Sequence, residues 1–473
     1  MATSRQIAPI ATVLGGDLDV PLLGGDRARH VNLDHAASTP ALVEVWDAVE
    51  RFLPWYASVH RGDGYKSLVS TAAYEDARNS VRRFIGASND DVVVFTRNTT
   101  DAVNLLARSC PPGTIVVTTA AEHHANLLPW RRHTRVVELP VPASRAEVLS
   151  SFTEALRALP SAPTPILLAV TGASNVTGET WPIGELAGIA HDARARIFVD
   201  AAQLAPHRPI DMSELHIDWI ALSGHKLYAP FGAGALVGTT EWLDAADPYL
   251  SGGGAVTHVD EVGVELEGLP ARHEAGTPNV VGAVALAAAC DALGAIGMDR
   301  VASHDRELTA ALRDALCSVD AVRTYHMWAD APDVVALSSF NLEGLSPAKL
   351  AAVLSAEHGV AVRSGSFCAH RLLGRIVPDV SPLAPGCNPA VPGAVRASLG
   401  VDSAGSDIDR LSSALREVVR SGPRWRYVST GDGSFAPRPD DRAWPLAHHA
   451  DAPRAEVGDG AAPFLRGAPL VGS

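Results

Sequence analysis

Two residues frame the chemistry open to this sequence. Asp200 ends a short apolar run, Ile197-Phe198-Val199, and Lys226 closes Ser223-Gly224-His225-Lys226 just past a second run at 217–222. Both runs are too short for helices and rich in strand formers, so two buried strands deliver an acid and a lysine to their carboxyl ends. In open α/β sheets that edge is where ligands bind. The pair admits two readings. One is a solvated lysine and a capping aspartate on ordinary βα loops. The other is a lysine that forms a Schiff base with pyridoxal 5'-phosphate, opposite a carboxylate that keeps the pyridine nitrogen protonated so that the ring can take up electrons.

Further stretches could serve such a ligand, each with a plainer alternative. The strand expected at 92–96 is followed by Asn98-Thr99-Thr100-Asp101 and a helix from Ala102. Free N–H groups, the positive end of the helix dipole and two hydroxyls make a phosphate cradle; a plain threonine N-cap is the alternative. A strand at 115–118 leads to Glu122-His123-His124, where an imidazole could stack on a ring or shuttle a proton, or belong to a surface histidine pair. After a strand at 166–170, Asn175 could donate to a phenolate-type oxygen or hold a turn. The small and polar residues of Asn32-Leu33-Asp34-His35-Ala36-Ala37 could let backbone approach a ligand, or mark a strand followed by a helix whose first turn holds Pro40. Near the C-terminus, a strand at 360–362 runs into Arg363-Ser364-Gly365-Ser366-Phe367-Cys368. A cysteine in that polar loop could be a nucleophilic thiolate, with Arg363, His370 and Arg371 close in sequence, or a small buried hydrophobe.

The elements that must position these residues follow from the pattern around them. Strands alternate with helices over 90–235, which marks a mostly parallel, doubly wound α/β sheet. Helices are expected at 41–53 and 70–85, and an Ala-rich helix at 280–293 is a candidate spine between lobes. Beyond 297 the order changes to helix, strand, strand, helix, a smaller α+β unit. The organisation expected is a loose N-terminal leader (1–28), a large domain (29–285), a small α+β domain (286–420) and a Pro/Gly/Ala-rich tail (421–473), mobile or draped over the surface. With 473 residues the chain is long enough for this plan. A net charge of −14 without a Lys/Arg stripe argues against nucleic-acid binding. No long uncharged apolar stretch and no secretory signal are visible, so neither a membrane span nor export is expected. The five cysteines, Cys110, Cys290, Cys317, Cys368 and Cys387, are odd in number, irregularly spaced and free of CxxC pairs. That argues against a disulfide framework or a metal site and suits a reduced, cytoplasmic protein.

Ten stretches occur in order: NLDHAASTP, SVHRG, FTRNTTDAVNLL, EHHANLLPW, SNVTGE, VDAAQ, SGHKLYAP, RHEAGTPN, VAVRSGSFCAH and VRASLG. Together they resemble the class V aminotransferase family of fold-type I pyridoxal-phosphate enzymes, most nearly its group II cysteine desulfurase and selenocysteine lyase branch, over roughly residues 30–420. The resemblance implies a mixed, mostly parallel seven-stranded sheet flanked by helices, plus the smaller α+β domain. It implies that Lys226 bonds the cofactor, Asp200 pairs with its pyridine nitrogen, and His123 stacks on its ring. Gln203 and Asn175 would contact the phenolic oxygen. Thr99, Thr100, Ser223 and His225 would hold the phosphate, and Thr277 would reach the phosphate of a second protomer in a homodimer. Arg396, with His35, Ala36 and Asn175, would face the substrate, Arg396 as a bidentate carboxylate clamp. Cys368 would accept sulfur from L-cysteine as a persulfide, releasing L-alanine, and a sulfur-acceptor protein would take it onward. The alternatives are a C–S or C–Se lyase, an epimerase or an aminotransferase that does not use Cys368 as nucleophile, or a non-catalytic scaffold. Three departures stand out. Ser366-Phe367 precede the cysteine where the family is more polar. The segment 369–394 is long and Pro-rich and holds Cys387, as a lid, a thiol relay or a surface loop with an idle cysteine. GVDSAGSDID follows VRASL where the family shows an aromatic-Asn-Thr turn, a sign of divergence at the substrate end.

Overall fold

The strands that carry the acid and the lysine lie inside a seven-stranded sheet in the computed structural model, which describes residues 7–159, 164–329, 331, 333–378, 393–431, 433–443 and 445. In chain order the strands are β1 (Val92–Thr96), β2 (Ile115–Thr119), β3 (Arg135–Leu139), β4 (Ile166–Thr171), β5 (Arg196–Asp200), β6 (Trp219–Ser223) and β7 (Gly234–Gly238). Across the sheet they run β1-β7-β6-β5-β4-β2-β3. The pairs from β6 to β3 are parallel, and β7 runs antiparallel to both neighbours, β1 and β6.

Successive side chains of a strand point to opposite faces. Ile197, Val199, Ile220 and Leu222 join one apolar cluster, with Leu168 and Val170. Phe198, Trp219 and Ala221 join another on the opposite face, with Leu167, Ala169 and Trp130. A strand buried on both faces needs no polar alternation, which is why these segments read as unbroken apolar runs. The architecture is the α/β plan expected of the sequence. β3 and β7 are strands the pattern does not reveal: Arg135 and Glu138 interrupt the first, and glycines close both ends of the second.

Helices α1 (Val43–Phe52), α2 (Tyr65–Phe84), α3 (Thr99–Ser109), α4 (Leu128–His133), α5 (Arg145–Ala158), α6 (Ile183–Asp192) and α7 (Glu241–Ala245) belong to the same part of the chain. Helix α8 (Val280–Ile296) packs on α1 and α2. At Gly297, whose φ of +89° suits glycine, the chain bends by 79° into α9 (Met298–Cys317). A four-stranded antiparallel sheet follows, made of β8 (Val322–Tyr325), β9 (Leu337–Leu342), β10 (Arg363–Gly365) and β11 (Ala394–Ser398) in the order β8-β9-β11-β10. Helices α10 (Pro347–His358), α11 (His370–Ile376) and α12 (Gly405–Ser421) complete this part. Leu308, Leu312, Phe340, Leu350, Val395 and Leu411 form its core.

The described parts of the leader (from Ile7) and of the tail (421–431, 433–443 and 445) are packed, while residues 1–6 and 446–473 lie outside the described residues. From Ile7 onward the leader is held: Ile7 and Leu23 enter the core of the small sheet, and Asp19–Pro21 pairs with Arg27–Arg29. After α12, Tyr427–Ser429 and Phe435–Pro437 form a hairpin, and buried Glu357 accepts hydrogen bonds from the Arg424 amide (3.0 Å) and the Tyr427 hydroxyl (2.9 Å). The few apolar residues of each end find a ready hydrophobic surface, which composition alone cannot show. Among the described residues, no single helix is long and apolar enough to cross a membrane.

Two glycines give a test of this packing. At Gly234 a Cβ would lie 2.6 Å from the Leu222 carbonyl oxygen and 2.8 Å from Asn98 Cα, both backbone atoms. At Gly188, within α6, a Cβ would meet open space. Gly188→Ala should stabilise the protein by roughly 0.5–1 kcal/mol through helix propensity. Gly234→Ala should instead lower the melting temperature, and thermal unfolding that moves both variants in one direction would contradict the strand register.

Candidate active site at the carboxyl edge of the large sheet

The carboxyl ends of β1, β2, β4, β5 and β6 open onto one cavity of about 250 Å³. Its wall includes Asp200, Gln203, Ser223, His225 and Lys226 from the central strands and their turns. His123 enters from beyond β2, Asn175 from beyond β4, and Thr99 and Thr100 from the start of α3. Ala36 comes from the N-terminal stretch. Cys368 and Arg396 arrive from the small sheet and its loop. Residues spread over 360 positions thus meet at the sheet edge that the motifs indicated.

The lysine turn is built tightly. A Cβ on Gly224 would come 2.6 Å from the Ala233 carbonyl oxygen, so only glycine fits there. The His225 carbonyl accepts the Thr39 amide at 2.8 Å, and Thr39 Oγ1 in turn accepts the Tyr228 amide at 2.8 Å. The N-terminal stretch therefore clamps the turn that presents Lys226. Burial lowers Lys226 to about 8, opposed by the negative charge of Asp200. Burial raises Asp200, opposed by the Ala202 amide, which donates to Oδ1 at 3.0 Å, and by the charge of Lys226. His123 is lowered to about 3 and His225 to about 4, burial being the larger cause in both and Lys226 the next. Both imidazoles are neutral at physiological pH.

The start of α3 decides between its two readings. The capping residue is Asn98, whose Oδ1 accepts the Asp101 amide at 3.0 Å. The threonines are not needed as caps. Thr99 Oγ1 is buried without a hydrogen-bond partner, and so is Ser223 Oγ on the neighbouring wall. A buried hydroxyl left unpaired costs about 1–3 kcal/mol. Two of them beside a helix N-terminus fit a phosphate, and an acid facing a lysine fits a pyridine ring with an aldehyde. The side chains present therefore suit pyridoxal 5'-phosphate.

The small sheet supplies the rest. Arg396 on β11 is buried, donates from Nη1 to the Asn175 carbonyl at 2.8 Å, and places Nη2 3.4 Å from Asp34 Oδ1. Its Nε is buried and unpaired, and burial lowers its guanidinium to about 10. Cys368 is exposed at the cavity mouth, and its carbonyl accepts the His124 amide at 2.8 Å. By contrast, burial raises the Cys110 and Cys290 thiols, Cys110 to about 12. Gln203 Nε2 donates to the Ala36 carbonyl at 2.7 Å, and Asn175 Nδ2 to the Phe367 carbonyl at 2.8 Å.

Other expected residues lie elsewhere. His35 does not line the cavity; its buried ring is 2.7 Å from Asp402 Oδ1 and 3.2 Å from the Ser398 carbonyl, joining the N-terminal stretch to the small domain. Thr277 is exposed just before α8, away from this cavity. Arg371 pairs with Glu138 rather than with the thiol. Cys387 and most of the Pro-rich segment lie outside the described residues. Three residues within the motifs were given no role there. Asp34 meets Arg396, Phe367 covers it, and Glu122 is a fully enclosed carboxyl raised by burial to about 8 that accepts the Thr171 amide and Asn126 Nδ2. An acid three residues past a buried strand, in an otherwise apolar stretch, is a signal that could have flagged Glu122.

The sequence model of the family described as Aminotransferase class-V matches residues 31–411. A cysteine desulfurase of Haloferax volcanii is 36% identical over 411 residues, which is 85% of this chain and 92% of that protein. Cysteine desulfurase CsdA of Escherichia coli is 34% identical, over 82% of this chain and 94% of its own. The crystal structure of CsdA, in an S-sulfonic acid form, superposes with a TM-score of 0.71 at 32% identity, covering 83% of this chain and 95% of that one. The apo cysteine desulfurase of Thermococcus onnurineus gives a TM-score of 0.73 at 30% identity, covering 86% and 98%.

Only a neutral lysine amine can bond an aldehyde. Uptake of pyridoxal 5'-phosphate by the cofactor-free protein, followed by its colour, should therefore accelerate as pH rises through about 8 rather than through the ordinary lysine range. Asp200→Asn removes the charge that holds the proton on Lys226 and should move that midpoint down. An upward move would contradict the assigned electrostatics.

Proposed function

Because the chain belongs to the class-V aminotransferase family, we propose that it is a pyridoxal-phosphate-dependent cysteine desulfurase, taking sulfur from L-cysteine and releasing L-alanine. Its cofactor is pyridoxal 5'-phosphate. The observation that carries the reading is that one cavity holds both an enclosed lysine facing an acid, Lys226 and Asp200, and an exposed thiol, Cys368.

When bound, the cofactor supplies an aldehyde for amino groups and an electron-poor ring that stabilises negative charge at the substrate's Cα. The chain's own residues do the rest. Lys226 holds the cofactor, and its amine, whose hold on a proton burial weakens, takes the Cα proton. Asp200 would hold a proton on the pyridine nitrogen, and neutral His123, which lines the same cavity, would add no competing positive charge. Thr99, Thr100, Ser223 and His225 receive the phosphate. Gln203 and Asn175 are the polar groups for the phenolic oxygen. Arg396 binds the substrate carboxylate, with Ala36 on the adjoining wall. Cys368, as a thiolate, attacks the substrate's sulfur: an S–S bond forms while the Cβ–S bond breaks, the bonding pair stays on Cβ, which takes up a proton, and the proton removed by Lys226 returns to Cα, completing L-alanine.

The exposure of Cys368 suits onward transfer to a thiol of an acceptor protein. Homodimerisation is supported by exposed Trp55, Tyr56, Tyr65 and Leu68, which cluster in sequence between α1 and the first turn of α2, and by the exposed Thr277. The cytoplasm, which keeps thiols reduced, suits the chemistry of Cys368.

Replacing Cys368 by Ala separates this reading from its rivals. With L-cysteine, the wild-type holoenzyme should yield alanine, and Cys368→Ala should lose that turnover by about two orders of magnitude or more while keeping its cofactor colour. Undiminished alanine from the variant, or pyruvate and ammonia as the wild-type products, would point instead to a lyase that does not use this thiol.

A further inference from the structure

The loop that carries the thiol also covers the arginine. The Phe367 ring lies over the Arg396 guanidinium, 4.9 Å from its centroid to Cζ. Phe367 and Cys368 are consecutive left-handed residues, with φ of +51° and +53°. Such angles are costly for side-chain-bearing residues, and a bulky one there is an outlier that glycine or asparagine would relieve. Two hydrogen bonds hold the pair in place. Asn175 Nδ2 donates to the Phe367 carbonyl at 2.8 Å, and the His124 amide donates to the Cys368 carbonyl at 2.8 Å. The backbone of Asn175 closes the circuit, because its carbonyl accepts Arg396 Nη1 at 2.8 Å. One residue thus grips both the arginine and the loop that caps it. With its face against the ring, the guanidinium is left its edge for a ligand. Nε on that edge is buried and has no partner, and Nη2 has only a long 3.4 Å approach to Asp34.

We propose that Phe367 is a positioning residue for the substrate's carboxylate: its ring excludes water from the face of the Arg396 guanidinium, keeps the donor edge aimed into the cavity, and so links the carboxylate clamp to the loop that bears the sulfur-accepting thiol. An aromatic ring is suited to the task, since its π face attracts a desolvated cation that an aliphatic side chain would only exclude. A guanidinium shielded from water also pairs more strongly with a carboxylate. The inference rests on the reading in which Arg396 binds the substrate carboxylate.

The test is steady-state desulfuration of L-cysteine by the holoenzyme and four variants. Phe367→Leu, similar in volume, should raise KM about tenfold and leave kcat within about twofold. Phe367→Trp should restore the wild-type KM. Arg396→Gln should raise KM more than Phe367→Leu does, and the double variant Phe367→Leu/Arg396→Gln should be no worse than Arg396→Gln alone, because the ring acts through the guanidinium. Alkylation of Cys368 by iodoacetamide should proceed at the wild-type rate in Phe367→Leu, showing the thiol loop in place. An unchanged KM in Phe367→Leu, or effects that multiply in the double variant, would overturn the proposal while leaving the carboxylate clamp standing. An unchanged KM in Arg396→Gln would overturn the clamp itself.

Discussion

Everything at this site depends on an amine and a carboxylate being enclosed together at one edge of a sheet. Burial disfavours the charged form of both Lys226 and Asp200, and each partly restores the charge of the other. The result is a lysine that gives up its proton near physiological pH and an acid held in a dry setting. Two parallel neighbours, β5 and β6, each buried on both faces, bring the pair there. The rest of the fold walls that edge with side chains from distant parts of the chain.

Closure comes from segments far away in the chain. Thr39 ties the N-terminal stretch to the lysine turn, and His35 ties the same stretch to Asp402 beyond the small sheet. Arg396 and the thiol loop come from strands of that sheet and are fastened to the large one through Asn175 and His124. Arg371 adds an ion pair with Glu138, whose other oxygen serves Arg131. Arg396 and Cys368 are therefore placed by the docking of the small part of the chain on the large. These contacts join separate elements of the chain, so the site is a property of the assembled fold rather than of any one element.

Much of this was legible beforehand, for identifiable reasons. Lys226, Asp200, His123, Thr99 and Ser223 stand directly beyond apolar runs, and a run buried on both faces announces itself without alternation. What sequence could not rank were alternatives that differ only in three-dimensional pairing. Asn98, not a threonine, caps α3, which frees Thr99 for a ligand. His35 stands within the motif yet turns to Asp402, because a partner 367 positions away is invisible in a local pattern. Phe367 read as a mere departure from a polar family position until its ring was seen over Arg396. Strand β7, framed by glycines, was hidden because those glycines serve close packing rather than a turn.

If the enclosed lysine and the exposed thiol act on one substrate in one cavity, a single turnover must leave a sulfur atom on Cys368. The most direct measurement is peptide mapping by mass spectrometry after a single turnover of holoenzyme with L-cysteine and rapid alkylation. One added sulfur atom is expected on the peptide bearing Cys368, and none in Lys226→Ala although the thiol remains. Added sulfur on another cysteine, or on Cys368 in the absence of Lys226, would contradict it.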